Sequence, residues 1–176
     1  PFLNYLARLV VRMVPDRKEA AKEGLKYIGA PGTIPVAMGI PMVYGELKRM
    51  QGKVHKALKH AGSYLQPELK KRDRFKRKVT ALEDETDIMQ HEITSFVVTL
   101  MQAGNASKEQ SDRAYSYVRA ADELESIADY ADSLCGYMLR LEKHEVGFSD
   151  EAWESLHTFH REVFSFYNQV CKAFNN

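Results

Sequence analysis

Apolar side chains recur along this chain at alternating spacings of three and four, the period of a helix with one buried stripe. From Val36 to Tyr64 the stripe is Met42, Leu47, Met50, Val54, Leu58 and Ala61, with Pro41 tolerable in the first turns. A second run, about Glu68 to Gln102, places Val79, Leu82, Thr86, Met89, Ile93, Phe96 and Leu100 on one face. "AGNAS" interrupts it, and Ser107 is placed to cap a third helix, about Lys108 to Lys143. That helix carries Ala114, Tyr117, Ala121, Leu124, Ala128, Ala131, Cys135 and Met138, small residues that permit close helix approach. A last helix from about Ser149 shows Trp153, Leu156, Val163, Tyr167, Val170 and Phe174, with Phe159 and Phe166 beside them. Its face is broad and aromatic, which predicts self-association through Trp153, Phe159 and Phe166. Nothing reads as strand, so the pattern predicts an all-α, antiparallel bundle of long helices.

Before these helices, Phe2, Leu3, Leu6, Leu9, Val10 and Met13 outline a short amphipathic helix stopped near Pro15, and a Gly/Pro-rich linker follows to about residue 35. No charge-free apolar run reaches the ~18 to 20 residues that a bilayer span needs, and no secretory leader is visible. Cys135 and Cys171 are the only cysteines and form no Cys-x-x-Cys pair, which argues against a disulfide scaffold and for a reducing compartment.

Charge changes this picture, because a net charge of +1 conceals two opposed halves. Residues 1–80 carry 18 Lys and Arg against 6 Asp and Glu, and residues 81–176 carry 7 against 18. The basic half culminates in "KKRDRFKRK", where Lys70, Lys71, Arg72, Arg74, Lys76, Arg77 and Lys78 surround a single Asp. Such a run suits anionic lipid headgroups or an acidic partner. Nucleic acid is not expected, since Phe75 is the only aromatic within it and no nucleic-acid module is recognisable.

In the acidic half, "ADELESIADYAD" sets Asp122, Glu125, Asp129 and Asp132 at spacings of 3, 4 and 3, on the flank of the third helix's apolar stripe. Like charges so placed repel. The preceding helix carries Glu83, Asp87, Gln90 and Thr94 on the corresponding flank, turned in the same sense. Two antiparallel neighbours with flanks offset alike present both on one side of the pair. Folding the hairpin about Asn105 brings Glu83 level with the region between Glu125 and Asp129. A cation held between them would convert repulsion into attraction, and such oxygen-rich sets favour iron, manganese or magnesium. Glu83, Asp87, Asp122, Glu125, Asp129 and Asp132 are therefore the candidate ligands. The other reading is a solvated acidic face. Glu154-x-x-His157, with His160, is half of a ferritin-like di-iron pattern, but the second half is missing from the sequence, so these read as ordinary helix residues.

"LEDETDIMQHEI" and "ADELESIADYADSL" resemble the two Glu/Asp-x-x-x-Asp motifs of PhoU-like domains, here Glu83 with Asp87 and Glu125 with Asp129. The opening "PFLNYLARLVVRMVPD" and its linker are similar to the segment that leaves the last membrane helix of bacterial sodium/phosphate cotransporters carrying such a domain. The resemblance implies a non-enzymatic helical module at the cytoplasmic face of the bacterial cell membrane. It also implies metal binding through the acidic motifs, and regulation of phosphate uptake through the transmembrane transporter domain of the same polypeptide. On this reading residues 1–35 are a juxtamembrane helix and linker, 36–146 a three-helix repeat, and 147–176 the first helix of a second, incomplete repeat. Ser126 and Ala128 stand where the family motif usually has Arg and Gly. Two alternatives stay open: a free-standing PhoU-type signalling adaptor and, from another class, a di-metal carboxylate enzyme.

Overall fold

The computed structural model describes residues 25–26, 28, 34–65, 72–103 and 105–175. Four helices follow one another: α1 Val36–Tyr64, α2 Arg72–Ala103, α3 Lys108–Lys143 and α4 Asp150–Asn175. The predicted helix at Phe2–Met13, most of the linker, and Lys70 and Lys71 lie outside the described residues.

The helix ends follow from local chemistry. Pro35 is extended, and its carbonyl accepts from the N–H groups of Met38 and Gly39 at 2.9 and 3.0 Å to start α1. Ser107 caps α3 with a reciprocal box: its hydroxyl accepts from the Gln110 N–H at 3.2 Å, while the Gln110 side chain accepts from the Ser107 N–H at 2.9 Å. At the far end Glu145 adopts φ 55°. The Val146 N–H then reaches back to Leu141 O and the Glu145 N–H to Glu142 O, a left-handed cap that satisfies two terminal carbonyls. Ser149 starts α4, accepting from the Ala152 N–H at 3.3 Å.

Helices α1, α2 and α3 form an up-down-up bundle around α1. His60 meets Phe75 and Lys53 pairs with Glu85, so α1 and α2 run antiparallel. Tyr44 meets Tyr117, and α3 returns alongside α1. The core is the α1 stripe Val43, Leu47, Met50, Val54, Ala57 and Ala61, closed by Met89, Ile93 and Leu100 from α2 and by Ala121, Ala128 and Cys135 from α3. The alanines of α3 leave its backbone close to α1. Gly39 does the same for α2, since a Cβ there would fall 2.4 Å from a Leu100 methyl.

The fourth helix lies antiparallel along α1, and near its end Phe174 also meets Tyr117 of α3. The buried Tyr167 hydroxyl donates to Gln51 O at 2.8 Å, and His160 Nε2 donates to Leu58 O at 3.0 Å. The His160 ring fills the space over Gly62, where a Cβ would meet it at 2.4 Å. The apolar face divides differently from the sequence expectation. Phe164, Tyr167 and Phe174 turn toward α1, whereas Phe159, Val163, Phe166 and Val170 are exposed. Trp153 is half-buried, packed edge-on to Phe148 and stacked on His157, so it is not part of the free surface.

Candidate functional site on the paired acidic helices

The antiparallel pairing of α2 with α3 is fixed by polar rungs. At one end Arg72 forms an ion pair with Glu142. One turn further, Asp132 Oδ1 accepts from Lys76 Nζ and from Thr80 Oγ1, both at 2.6 Å, and Lys76 also reaches the Asp132 carbonyl at 3.2 Å. Towards the other end the Gln90 side-chain amide donates to Asp122 Oδ1. Between these rungs Asp87 of α2 comes within electrostatic reach of Glu125 of α3. The two acidic flanks therefore meet on one side of the hairpin, as their shared rotational sense requires.

The six candidate ligands are not equivalent. Asp132 is half-buried and held by a cation and a hydroxyl, which makes it a clamp between helices. Asp122 is exposed but tied to Gln90. Glu83 is half-buried one turn from Asp87, on the side towards Thr80. The concentrated negative charge lies at Asp87, Glu125 and Asp129. Glu125 is half-buried, and burial foremost, then Asp129 and Asp87, push its carboxyl above the usual carboxylate range. The Ser126 hydroxyl, 3.4 Å from Glu125 Oε2, opposes that shift, and Asp122 adds slightly to it. Asp87 and Asp129 are exposed beside it. Among the described residues, no three His, Cys, Asp or Glu side chains are gathered into a metal-ion cluster. The trio is an open, repelling patch whose chemistry attracts cationic groups.

The predicted basic site is divided by the same rungs. Arg72 and Lys76 point to α3 and are engaged by Glu142 and Asp132. Arg74 and Arg77 are exposed, and Lys78 lies over the Phe75 ring at 5.8 Å. Of these, Arg74 and Lys78 lie towards α1, which contributes Lys56, Lys59 and His60. Sequence reasoning missed that contribution, although cations three residues apart on α1 were the available signal. Glu154, His157 and His160 stay apart from the acidic hairpin. His157 stacks on Trp153, and His160 is spent on the Leu58 carbonyl.

The family model for the PhoU domain matches residues 47–138, just over half of the chain. The chain belongs to the PhoU domain family. The matched span begins within α1 and ends near the close of α3, so it contains the acidic hairpin and the α1 stripe that carries it, while α4 lies outside it. Comparison with curated proteins and with solved structures returned no match. PhoU membership implies a phosphate-related regulatory role and agrees with the all-helical fold and with the non-enzymatic expectation. No helix among the described residues is long and apolar enough to cross a membrane.

Proposed function

We propose that this PhoU unit is the cytoplasmic regulatory domain of a bacterial sodium-dependent phosphate transporter, biasing a membrane-embedded core that moves the substrate. The observation that carries the reading is the position of Asp87, Glu125 and Asp129. They form a cross-helix acidic patch on the matched PhoU unit, in which burial first and then Asp129 and Asp87 raise the Glu125 pKa. Regulation requires contacts that differ between conformations of the core, and an uncompensated patch can supply them. The amphipathic opening segment and Gly/Pro linker of the sequence support a covalent tether to such a core. A free-standing adaptor of the same family would use the same face without the tether. The enzyme reading has less support because the second Glu-x-x-His that a ferritin-like di-metal centre uses is missing from the sequence.

The test is deletion of residues 36–176 from the intact reading frame. Sodium-driven phosphate uptake is expected to persist but to stop following phosphate supply. Uptake that still tracks supply, with normal amounts of protein in the membrane, overturns the assignment.

The same face is where we infer that a hard cation, iron or manganese ahead of magnesium, would bind. The engagement of Asp132 and Asp122 narrows the donors to Asp87, Glu125 and Asp129, with Glu83 adjacent. Elemental analysis after a manganese soak should show less metal in a Glu125→Ala/Asp129→Ala protein than in the parent. Equal metal returns the patch to a solvated face. Self-association belongs to the same reading. The exposed Phe159, Val163, Phe166 and Val170 are spaced 4, 3 and 4, a coiled-coil seam. We infer a second, antiparallel copy as its occupant, because that pairing sets Asp150 and Glu151 at the start of one α4 near Lys172 at the end of the other.

A further inference from the structure

A second charged surface lies between the C-terminal half of α1 and the first turns of α2. His60 stands at its centre, half-buried, with its ring 5.8 Å from Phe75. Among the described residues the charged groups that act on His60 are Lys56 and Lys59 from its own helix and Arg74 and Lys78 from α2, all cationic. Lys56, Lys59 and Arg74 are exposed, as is Arg77 one position before Lys78. Arg72 and Lys76 are turned to α3, whereas Arg74 and Lys78 lie on the α1 side, where Lys56 and Lys59 enlarge the set. Two helices thus contribute to one positive face that neither shows alone.

We propose that this face docks on an anionic phospholipid bilayer. Lys56, Lys59 and Arg74 are exposed on two helices, with Lys78 half-buried beside them, which suits an extended array of headgroup phosphates better than one enclosed anion. Each Lys or Arg brought to such a surface adds a roughly independent increment. Phe75, half-buried among them, gives the face an apolar centre. The bilayer also supplies a counter-charge, which none of the described groups acting on His60 provides. Burial first, then Lys78, Lys59, Arg74 and Lys56, holds the imidazole below its ordinary titration range, so it is neutral in the free protein at neutral pH. A nearby anionic surface offsets the four cations and favours protonation, so docking takes up a proton and tightens as pH falls. This surface acts whether the protein is tethered to a transporter or free.

The test is co-sedimentation of the 176-residue chain with mixed phosphatidylglycerol and phosphatidylcholine vesicles, and with phosphatidylcholine alone. Binding is expected only to the mixed vesicles, and to be salt-sensitive. Replacing Lys56, Lys59 and Lys78 by Gln should weaken partitioning roughly a hundredfold, and Lys59→Glu alone at least about tenfold. Replacing Lys108, Arg113 and Arg119, exposed cations of α3, should change it less than about threefold. His60→Gln should remove the tightening between about pH 7.5 and about pH 6. Equal partitioning of the parent and the Lys56/Lys59/Lys78 variant, or binding to phosphatidylcholine alone, overturns the proposal. So does displacement from vesicles by millimolar inorganic phosphate at constant ionic strength, which would assign the face to a small phosphate ligand.

Discussion

Replacing Asp132 by Ala separates a clamp from a ligand. The carboxylate receives Lys76 Nζ and Thr80 Oγ1 on one oxygen, each at 2.6 Å, and the Lys76 and Asp132 side chains are 22% and 24% exposed. Hydrogen bonds to a charged group contribute about 1.5–3 kcal/mol when shielded, whereas fully exposed pairs contribute about 0–1 kcal/mol. With both partners mostly covered but within reach of water, the loss should be about 2 kcal/mol. For a chain of this size that lowers the unfolding midpoint by about 4–8 °C. Asp132→Asn keeps an acceptor for Thr80 and loses only the charge, so it should cost about half as much. Thr80→Val, which removes one of the two donors, should cost about 1 kcal/mol. Thermal unfolding followed by circular dichroism, with and without manganese, reads the difference. A clamp gives the full loss in chelator, the same with metal absent or present. A variant indistinguishable from the parent in chelator, and deficient only when manganese is added, would refute the reasoning and restore Asp132 to the ligand set.

Glu125→Gln should act in the opposite direction. The folded-state pKa of Glu125 is raised above its unfolded value, so the folded state is penalised at neutral pH and gains stability as pH falls through that raised pKa. The amide should raise stability at pH 7 by up to about 0.5 kcal/mol after solvent screening, and flatten the gain seen on acidification. A loss at pH 7 in denaturant titrations would contradict it. Gly62→Ala puts a Cβ 2.4 Å from the His160 ring. It should displace α4 at a cost of about 1–3 kcal/mol, offset by up to about 1 kcal/mol of helix propensity. The emission of Trp153, the only tryptophan, reports the displacement, and an unchanged spectrum and stability would argue against this docking. Phe166→Glu should convert a sedimenting dimer to monomer without loss of helix, whereas a parent that is monomeric at high concentration removes the proposed seam.

The helices could be read from the sequence because each carries an unbroken stripe at one period and a chemically marked end. Ser107 is the clearest case, predicted as a cap and found with its reciprocal Gln110 bond. The acidic hairpin was also readable in outline, since flank direction and loop position determine that Asp87 approaches Glu125. What periodicity does not contain is the residue on the opposing helix. Asp132 and Asp129 share a stripe, yet Lys76 and Thr80 occupy the position across from one and not the other. The basic run is divided in the same way. Arg72 and Lys76 turn to α3, where carboxylates engage them, and Arg74 and Lys78 to the α1 side, where Lys56 and Lys59 add to them. In α4 two apolar stripes lie side by side, at Phe164, Tyr167 and Phe174 and at Phe159, Val163 and Phe166. The choice between them is made on α1, by the carbonyls of Gln51 and Leu58 and by the space above Gly62.

The central claim is that the acidic face of this PhoU unit conveys phosphate supply to a transporter. Its most direct measurement is initial-rate uptake of radiolabelled phosphate in cells expressing the intact reading frame, either as the parent or with Asp87, Glu125 and Asp129 changed to Ala, grown with scarce or abundant phosphate. Membrane protein levels are matched by immunoblot. The account predicts that the parent's uptake changes with supply while the variant's uptake is equal in both media and sodium-dependent in each. A variant whose uptake responds to supply as the parent's does, at matched protein levels, would contradict it.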